Sequence, residues 1–127
     1  MTTTSPPGLH WELSDKIHAA YYAVRRELGT AFPEHVYVNA MAVALREAGI
    51  QSAREVPYEV VFHGVAVGLF RADLVVQDLV LVEAKVAERI IPAHREQAWH
   101  YLAASRLKVA VILNFGPKPM TARVELP

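Results

Sequence analysis

The stretch Arg71-Ala72-Asp73-Leu74-Val75-Val76-Gln77-Asp78-Leu79-Val80-Leu81-Val82-Glu83-Ala84-Lys85 decides the fold. Its two apolar runs have the composition of core strands, and Gln77-Asp78 between them reads as a hairpin turn. Side chains alternate faces along a strand, so Glu83 and Lys85 share one face while Val82 and Ala84 take the other. If the runs pair through that turn, Asp73 falls roughly opposite Glu83 on the neighbouring strand. A carboxylate in such a setting is costly unless it is paired or holds a metal, so these three charges call for a chemical reason.

Working outward, Arg54–Phe62, Val65–Val76 and Leu79–Ala87 form an antiparallel meander of three strands, with His63-Gly64 as its first turn. Pro57 puts the first strand at an edge or on a bulge. Pro92 opens a helix to about Ser105, and Lys108-Val109-Ala110-Val111-Ile112-Leu113 is a continuous apolar run, as expected of a strand covered on both faces. A helix between two strands predicts a crossover that sets this strand parallel to the one carrying Glu83. Met120–Leu126 is a short terminal strand or tail.

Before the sheet, Leu13, Ile17, Ala20, Tyr21, Val24 and Leu28 form one helical stripe, with Ser14 or Asp15 as its cap and Gly29 as its end. Pro33 opens a second helix whose stripe of Val36, Tyr37, Ala40, Met41, Ala44, Leu45 and Ala48 closes at Gly49. The fold class is therefore α/β: two N-terminal helices, a three-stranded antiparallel meander, a crossover helix and a parallel strand in a mixed sheet. Residues 1–9 read as a flexible leader and residues 10–127 as a single domain.

The chain has 127 residues, 53% hydrophobic and 20% charged, which suits a globular fold with a real core. No apolar run is long enough to span a bilayer, and the N-terminus lacks the pattern of a secretory signal, so a cytoplasmic location without membrane contact is expected. There is no cysteine, which excludes disulfides and thiolate metal sites. Thirteen basic residues balance thirteen acidic ones, so any grip on nucleic acid is local rather than a property of the whole surface. Arg71, Lys85, Arg89, Arg95 and Lys118 are candidates to converge on one groove, or are ordinary solubilising charges. Trp11 and Trp99 are either half-buried or contacts in a homodimer or larger complex. The six histidines have no compact ligand spacing, which argues against zinc.

Magnesium takes hard oxygen ligands, commonly one or two carboxylates plus a substrate phosphate. Asp73 and Glu83 supply two, the Ala84 backbone carbonyl a third, and one or two Mg²⁺ (or Mn²⁺) ions fit the pattern. Lys85 then orients or helps deprotonate an attacking water and counters charge developing on a phosphate. The same spacing is equally that of a plain Glu83–Lys85 ion pair with Asp73 ending a strand. On the following helix His94, Gln97 and Tyr101 share one face, where an amide and a phenol can position the water, the lysine or a phosphate. Glu34, in the first turn of the second helix, is either a further carboxylate of the site or simply favourable to the helix dipole.

With these residues in view, the chain resembles the PD-(D/E)XK nuclease superfamily, and within it the small bacterial GxxExxY protein family. The likeness covers about Leu13 to Gly116. It is carried by Leu28-Gly29, Glu34-His35-Val36-Tyr37, Arg71-Ala72-Asp73-Leu74, Val82-Glu83-Ala84-Lys85, Pro92-Ala93-His94, Gln97, Tyr101-Leu102 and Asn114-Phe115-Gly116. The resemblance implies a restriction-endonuclease-like α-β-β-β-α-β core and metal-dependent phosphodiester cleavage. It also implies Asp73 and Glu83 as metal ligands and Lys85 as the catalytic lysine. Gln97-x-x-x-Tyr101 looks like the added motif of the RecB-like branch, which makes DNA the expected substrate, with Arg71 and His94 as candidate substrate contacts. The family pattern has glycine where this chain has Ala31, and alanine resists positive φ, so the loop is expected to enter the second helix differently.

Two readings follow. One is a Mg²⁺- or Mn²⁺-dependent nuclease acting on DNA. The other is a non-catalytic module of the same fold that binds nucleic acid or a protein partner.

Overall fold

The structure is a computed structural model, and it describes residues 8–127. Its elements are α1 (Trp11–Leu28), α2 (Glu34–Glu47), β1 (Ser52–Phe62), β2 (Val65–Val76), β3 (Val80–Lys85), α3 (Pro92–Ser105), β4 (Val109–Asn114) and β5 (Met120–Glu125). The strands form one sheet in the order β1-β2-β3-β4-β5. All neighbours are antiparallel except β3 and β4, which run parallel across the α3 crossover. This is the expected mixed sheet, with β1 at an edge and its register shifted between Val60 and Val61.

Both turns of the meander use left-handed backbone at their two central positions. His63 and Gly64 have φ of 51° and 77°, and Gln77 and Asp78 have 50° and 56°. That geometry follows the right-handed twist of paired strands. The second turn closes through the Leu79 N–H, which donates to the Val76 carbonyl at 3.0 Å, so β3 begins at Val80 rather than Leu79.

Helices cover both faces. Leu13, Ile17, Tyr21, Tyr37, Met41 and Leu45 pack on Leu74, Val80, Val82, Val111 and Leu113. On the opposite face Ala98 and Leu102 pack on Ala72, Leu81, Ala110 and Ile112. Every residue of β4 is buried, which explains its unbroken apolar run. The tip of the β1–β2 hairpin extends past both layers and leaves Val61, Phe62, Val65, Val67 and Leu69 exposed.

Other boundaries also depart from the pattern reading. α1 starts at Trp11, not after Ser14, because Ser14 is buried inside the helix, where its hydroxyl accepts a hydrogen bond from Arg123 at 2.7 Å. β1 starts at Ser52. β3 ends at Lys85 because the next segment is held by a side chain: Asn114 Oδ1 accepts from the Ala87 N–H at 3.0 Å. Residues 1–7 of the expected leader lie outside the described residues, while Leu9 lies against β5, its N–H directed at Glu125 and its carbonyl bonded to Arg123.

Candidate active site

The site arises where β2 and β3 part. Their ladder pairs Val76 with Val80, Val75 with Leu81 and Leu74 with Val82, and then stops. One step further, Asp73 faces Glu83. The Phe115 N–H donates to the Lys85 carbonyl at 2.7 Å, so the Lys85 backbone serves β4. By alternation the Ala84 backbone turns to the β2 side, where its N–H donates to Asp73 Oδ2 at 2.8 Å. A side-chain carboxylate thus takes the bond that a ladder carbonyl would have taken, and the Ala84 carbonyl faces the same gap.

A kink in β2 opens that gap. Leu74 packs with α1 and α2, yet Ala72, two residues away, packs with α3. Strict alternation would put both on one face, so the strand turns over at Asp73. Across from it the ladder passes from Arg54–Leu74 to Val56–Ala72, skipping Glu55, whose φ is 52°. A left-handed non-glycine residue in mid-strand breaks the pleat and re-aims its neighbours.

Glu83 is only 5% exposed, and its Oε1 is buried with no hydrogen-bond partner. Burial is the main force on its carboxyl and the adjoining Asp73 carboxyl the next; together they push its pKa from 4.5 up to about 9, with Lys85 pulling the other way. With its pKa near 9, the Glu83 carboxyl keeps its proton at neutral pH. The described residues form ion pairs at His100–Glu96 and Arg123–Glu125 and none between Glu83 and Lys85. The plain ion pair is therefore not the arrangement found. Lys85 instead donates from Nζ to Gln97 Oε1 at 2.9 Å.

One helical turn beyond Gln97, the ring of Tyr101 stacks on Phe70 with centroids 3.9 Å apart and planes 6° from parallel. Burial first, then the charges of Glu83 and Asp73, raise the Tyr101 pKa, so its phenol stays a neutral donor. His94 is engaged at the start of α3, where its Nδ1 accepts the Ile91 N–H at 3.1 Å. Burial and the nearby Lys85 lower its pKa, in keeping with a neutral ring whose Nε2 carries the proton.

Glu34 is the first residue of α2 and, though exposed, shares with Asp73 a cleft of about 170 Å³. Its pKa is raised by burial and then by Asp73, with Lys85 opposing. Among the described residues no group of three or more His, Asp or Glu side chains converges as a cation cage. Arg71 is exposed opposite Pro57; since Phe70 and Ala72 serve the α3 side, it points to the other. Trp11 and Trp99 are 44% and 47% exposed.

Ala31 adopts φ 88°, so the loop takes the glycine-like conformation despite its side chain, correcting the expectation that it would enter α2 differently. Tyr37 secures that loop: its hydroxyl donates to the Gly29 carbonyl at 2.7 Å and accepts the Phe32 N–H at 3.3 Å, while its ring stacks on Phe115. Sequence reading missed Asn114 as a latch. Besides Ala87, its amide bonds the Gly116 N–H, the Ala87 carbonyl and the Lys118 carbonyl, tying the segment after Lys85 to the end of β4. A polar residue ending an otherwise apolar run was the available signal.

The donor set is two carboxylates and a backbone carbonyl, one carboxylate oxygen being buried and unpaired. Such hard oxygens fit a Mg²⁺-sized cation better than a soft metal. The molecule thus has a restriction-endonuclease-like α/β fold with an acid pair and a held lysine at its strand junction. Its sequence matches the profile of the PD-(D/E)XK nuclease superfamily over residues 11–125, and the chain belongs to that superfamily. No curated protein matches the chain. Among solved structures it is similar to the one described as "Crystal structure of SSO0001", with 17% identity and a TM-score of 0.55. The match covers 92% of this chain and 59% of that one, and at this identity it speaks for the fold alone. No helix among the described residues is long and apolar enough to cross a membrane.

Proposed function

We propose that the protein is a divalent-cation-dependent nuclease hydrolysing phosphodiester bonds, with DNA as substrate. The observation that carries this reading is the buried, unpartnered Glu83 oxygen beside Asp73, a costly arrangement that a cation would relieve. Asp73, Glu83 and the Ala84 carbonyl would hold Mg²⁺ or Mn²⁺, with Glu34 acting from across the cleft. When bound, such an ion supplies Lewis acidity to a phosphoryl oxygen and offsets the carboxylate charge.

The remaining work belongs to the protein's own groups. Lys85, fixed by Gln97, presents its ammonium toward the scissile phosphate, orients the attacking water and stabilises the charge developing on phosphorus-bound oxygens. Gln97 is a positioning residue for that lysine. Tyr101, held flat by Phe70, donates its phenol proton in a hydrogen bond to substrate, and Arg71 and His94 contact phosphates at the margin. On Glu34 with Tyr37 and Gln97 with Tyr101, we assign the chain to the GxxExxY proteins of the RecB-like branch.

The test is incubation of the purified protein with labelled single-stranded DNA, duplex DNA and RNA, each with Mn²⁺ and with chelator. Products should form on DNA with Mn²⁺ only, and Asp73→Ala and Lys85→Ala should each abolish them. Equal cleavage by wild type and both variants would exclude this site as the source.

A further inference from the structure

The cleft shared by Asp73 and Glu34 adjoins a second one. Asn39 and Arg54 line the first, and both also line the second, a larger cleft of about 730 Å³ between α2 and the start of β1. The small cleft carries three acids, Glu34, Glu55 and Asp73. The charged lining of the large one is Arg46 and Arg54, with Asn39, Gln51 and Ser52 as neutral polar partners. Charge therefore changes sign between two adjoining clefts that meet at Arg54 and Asn39.

In a chain with a formal net charge of zero, that segregation is a local field rather than a general surface property. The acid end suits a cation and the basic end suits a polyanion. Arg54 is set in place twice: its backbone pairs with Leu74 in the β1–β2 ladder, and its guanidinium donates to Asn39 Oδ1. A guanidinium held this way loses less freedom when it binds a phosphate. Arg46 sits in the last turn of α2, seven residues and about 10 Å along the helix from Asn39. Both arginines are exposed, so a ligand can reach them without displacing core residues.

We infer that this α2–β1 groove is the track for the sugar–phosphate backbone of a nucleic acid, with Arg46 and Arg54 as its phosphate contacts. The strand's destination, the Asp73–Glu83 pair, rests on the nuclease reading above; the binding does not. Phosphate contacts of this kind fix position without reading sequence. The groove also differs from the expected convergence of Arg71, Lys85, Arg89, Arg95 and Lys118, none of which lines it.

The experiment is fluorescence-anisotropy titration of the full chain with labelled single-stranded and duplex oligonucleotides, in chelator, across a salt series. Arg46→Ala and Arg54→Ala should each weaken binding several-fold at low salt, and each should lower the slope of log K against log salt by close to one. Thermal melts of both variants should match wild type, since neither arginine is in the core; Arg54→Lys should regain part of the affinity. Unchanged affinity and slope in the folded variants would overturn the inference, as would failure of wild type to bind either oligonucleotide. Cleavage lost in Asp73→Asn, with binding independent of both arginines, would leave the nuclease reading standing and sink the groove. Arginine-dependent binding without any cleavage would support the groove and remove the nuclease.

Discussion

Asp73 Oδ2 accepts the Ala84 N–H at 2.8 Å at the point where the β2–β3 ladder ends. One side chain thus finishes the strand pairing and presents a carboxyl beside Glu83. The bond separates two roles that substitution can test. Asn keeps an acceptor for the Ala84 N–H, whereas Ala removes it and strands a donor. Asp73→Ala is expected to cost about 1–3 kcal/mol of stability and Asp73→Asn distinctly less, both measured by urea denaturation. Equal losses would mean that the bond contributes little.

Glu83 makes the metal-free protein sensitive to alkali. Its folded pKa of about 9 lies above the ordinary 4.5, so between those values the unfolded chain binds fewer protons than the folded one. Stability from this group is full below pH 4.5 and is lost as pH rises toward 9. The melting temperature in chelator should fall across that window, and Glu83→Gln, which cannot ionise, should flatten the fall. A wild-type profile no steeper than that of the variant would contradict the shift.

Gln97 restrains the Lys85 ammonium through a single bond of 2.9 Å. If that restraint serves the reaction, Gln97→Ala should lower kcat by about 10- to 100-fold with little change in KM, since a misplaced catalytic group costs on that scale. Gln97→Glu, which keeps the acceptor, should recover part of the rate. An unchanged kcat for Gln97→Ala would remove the positioning role.

Ala31 bears a left-handed strain that glycine does not feel, with φ at 88°. Ala31→Gly should therefore stabilise the fold by about 0.5–1 kcal/mol, the relief exceeding the added entropy of the unfolded chain. Chemical denaturation reads this directly, and a net destabilisation would show that the loop is not strained.

Gly116 has the opposite character. A Cβ there would meet the Ala87 carbonyl oxygen, which approaches to within van der Waals overlap because Asn114 ties the same segment down. Gly116→Ala should cost about 3 kcal/mol or more and disturb the segment following Lys85. A melting curve superposable on wild type would rule this out.

Much of this arrangement was legible in the residues. The apolar runs, the Gln77-Asp78 turn and Pro92 located β2, β3 and α3 because period, turn chemistry and proline act locally. The pairing of Asp73 with Glu83 followed from the turn. The kink did not: Glu55 and Ala31 take left-handed backbone with no glycine or asparagine to announce it, and only tertiary packing over-determines such residues. Ser14 misled for a related reason, since a good capping side chain was used to bond Arg123 from β5. Arg46 and Arg54, distant from Asp73 and Glu83 in sequence, are brought to the clefts beside Asp73 only through the packing of α2 on β1.

The central claim, that Asp73 and Glu83 together hold one divalent cation, is tested most directly by calorimetric titration of the full chain with Mn²⁺ near pH 8. Saturable binding is expected, with proton release revealed by buffers of different ionisation enthalpy, and with loss of the heat in both Asp73→Asn and Glu83→Gln. Mn²⁺ binding of equal strength in wild type and both variants, or no binding to wild type, would contradict it.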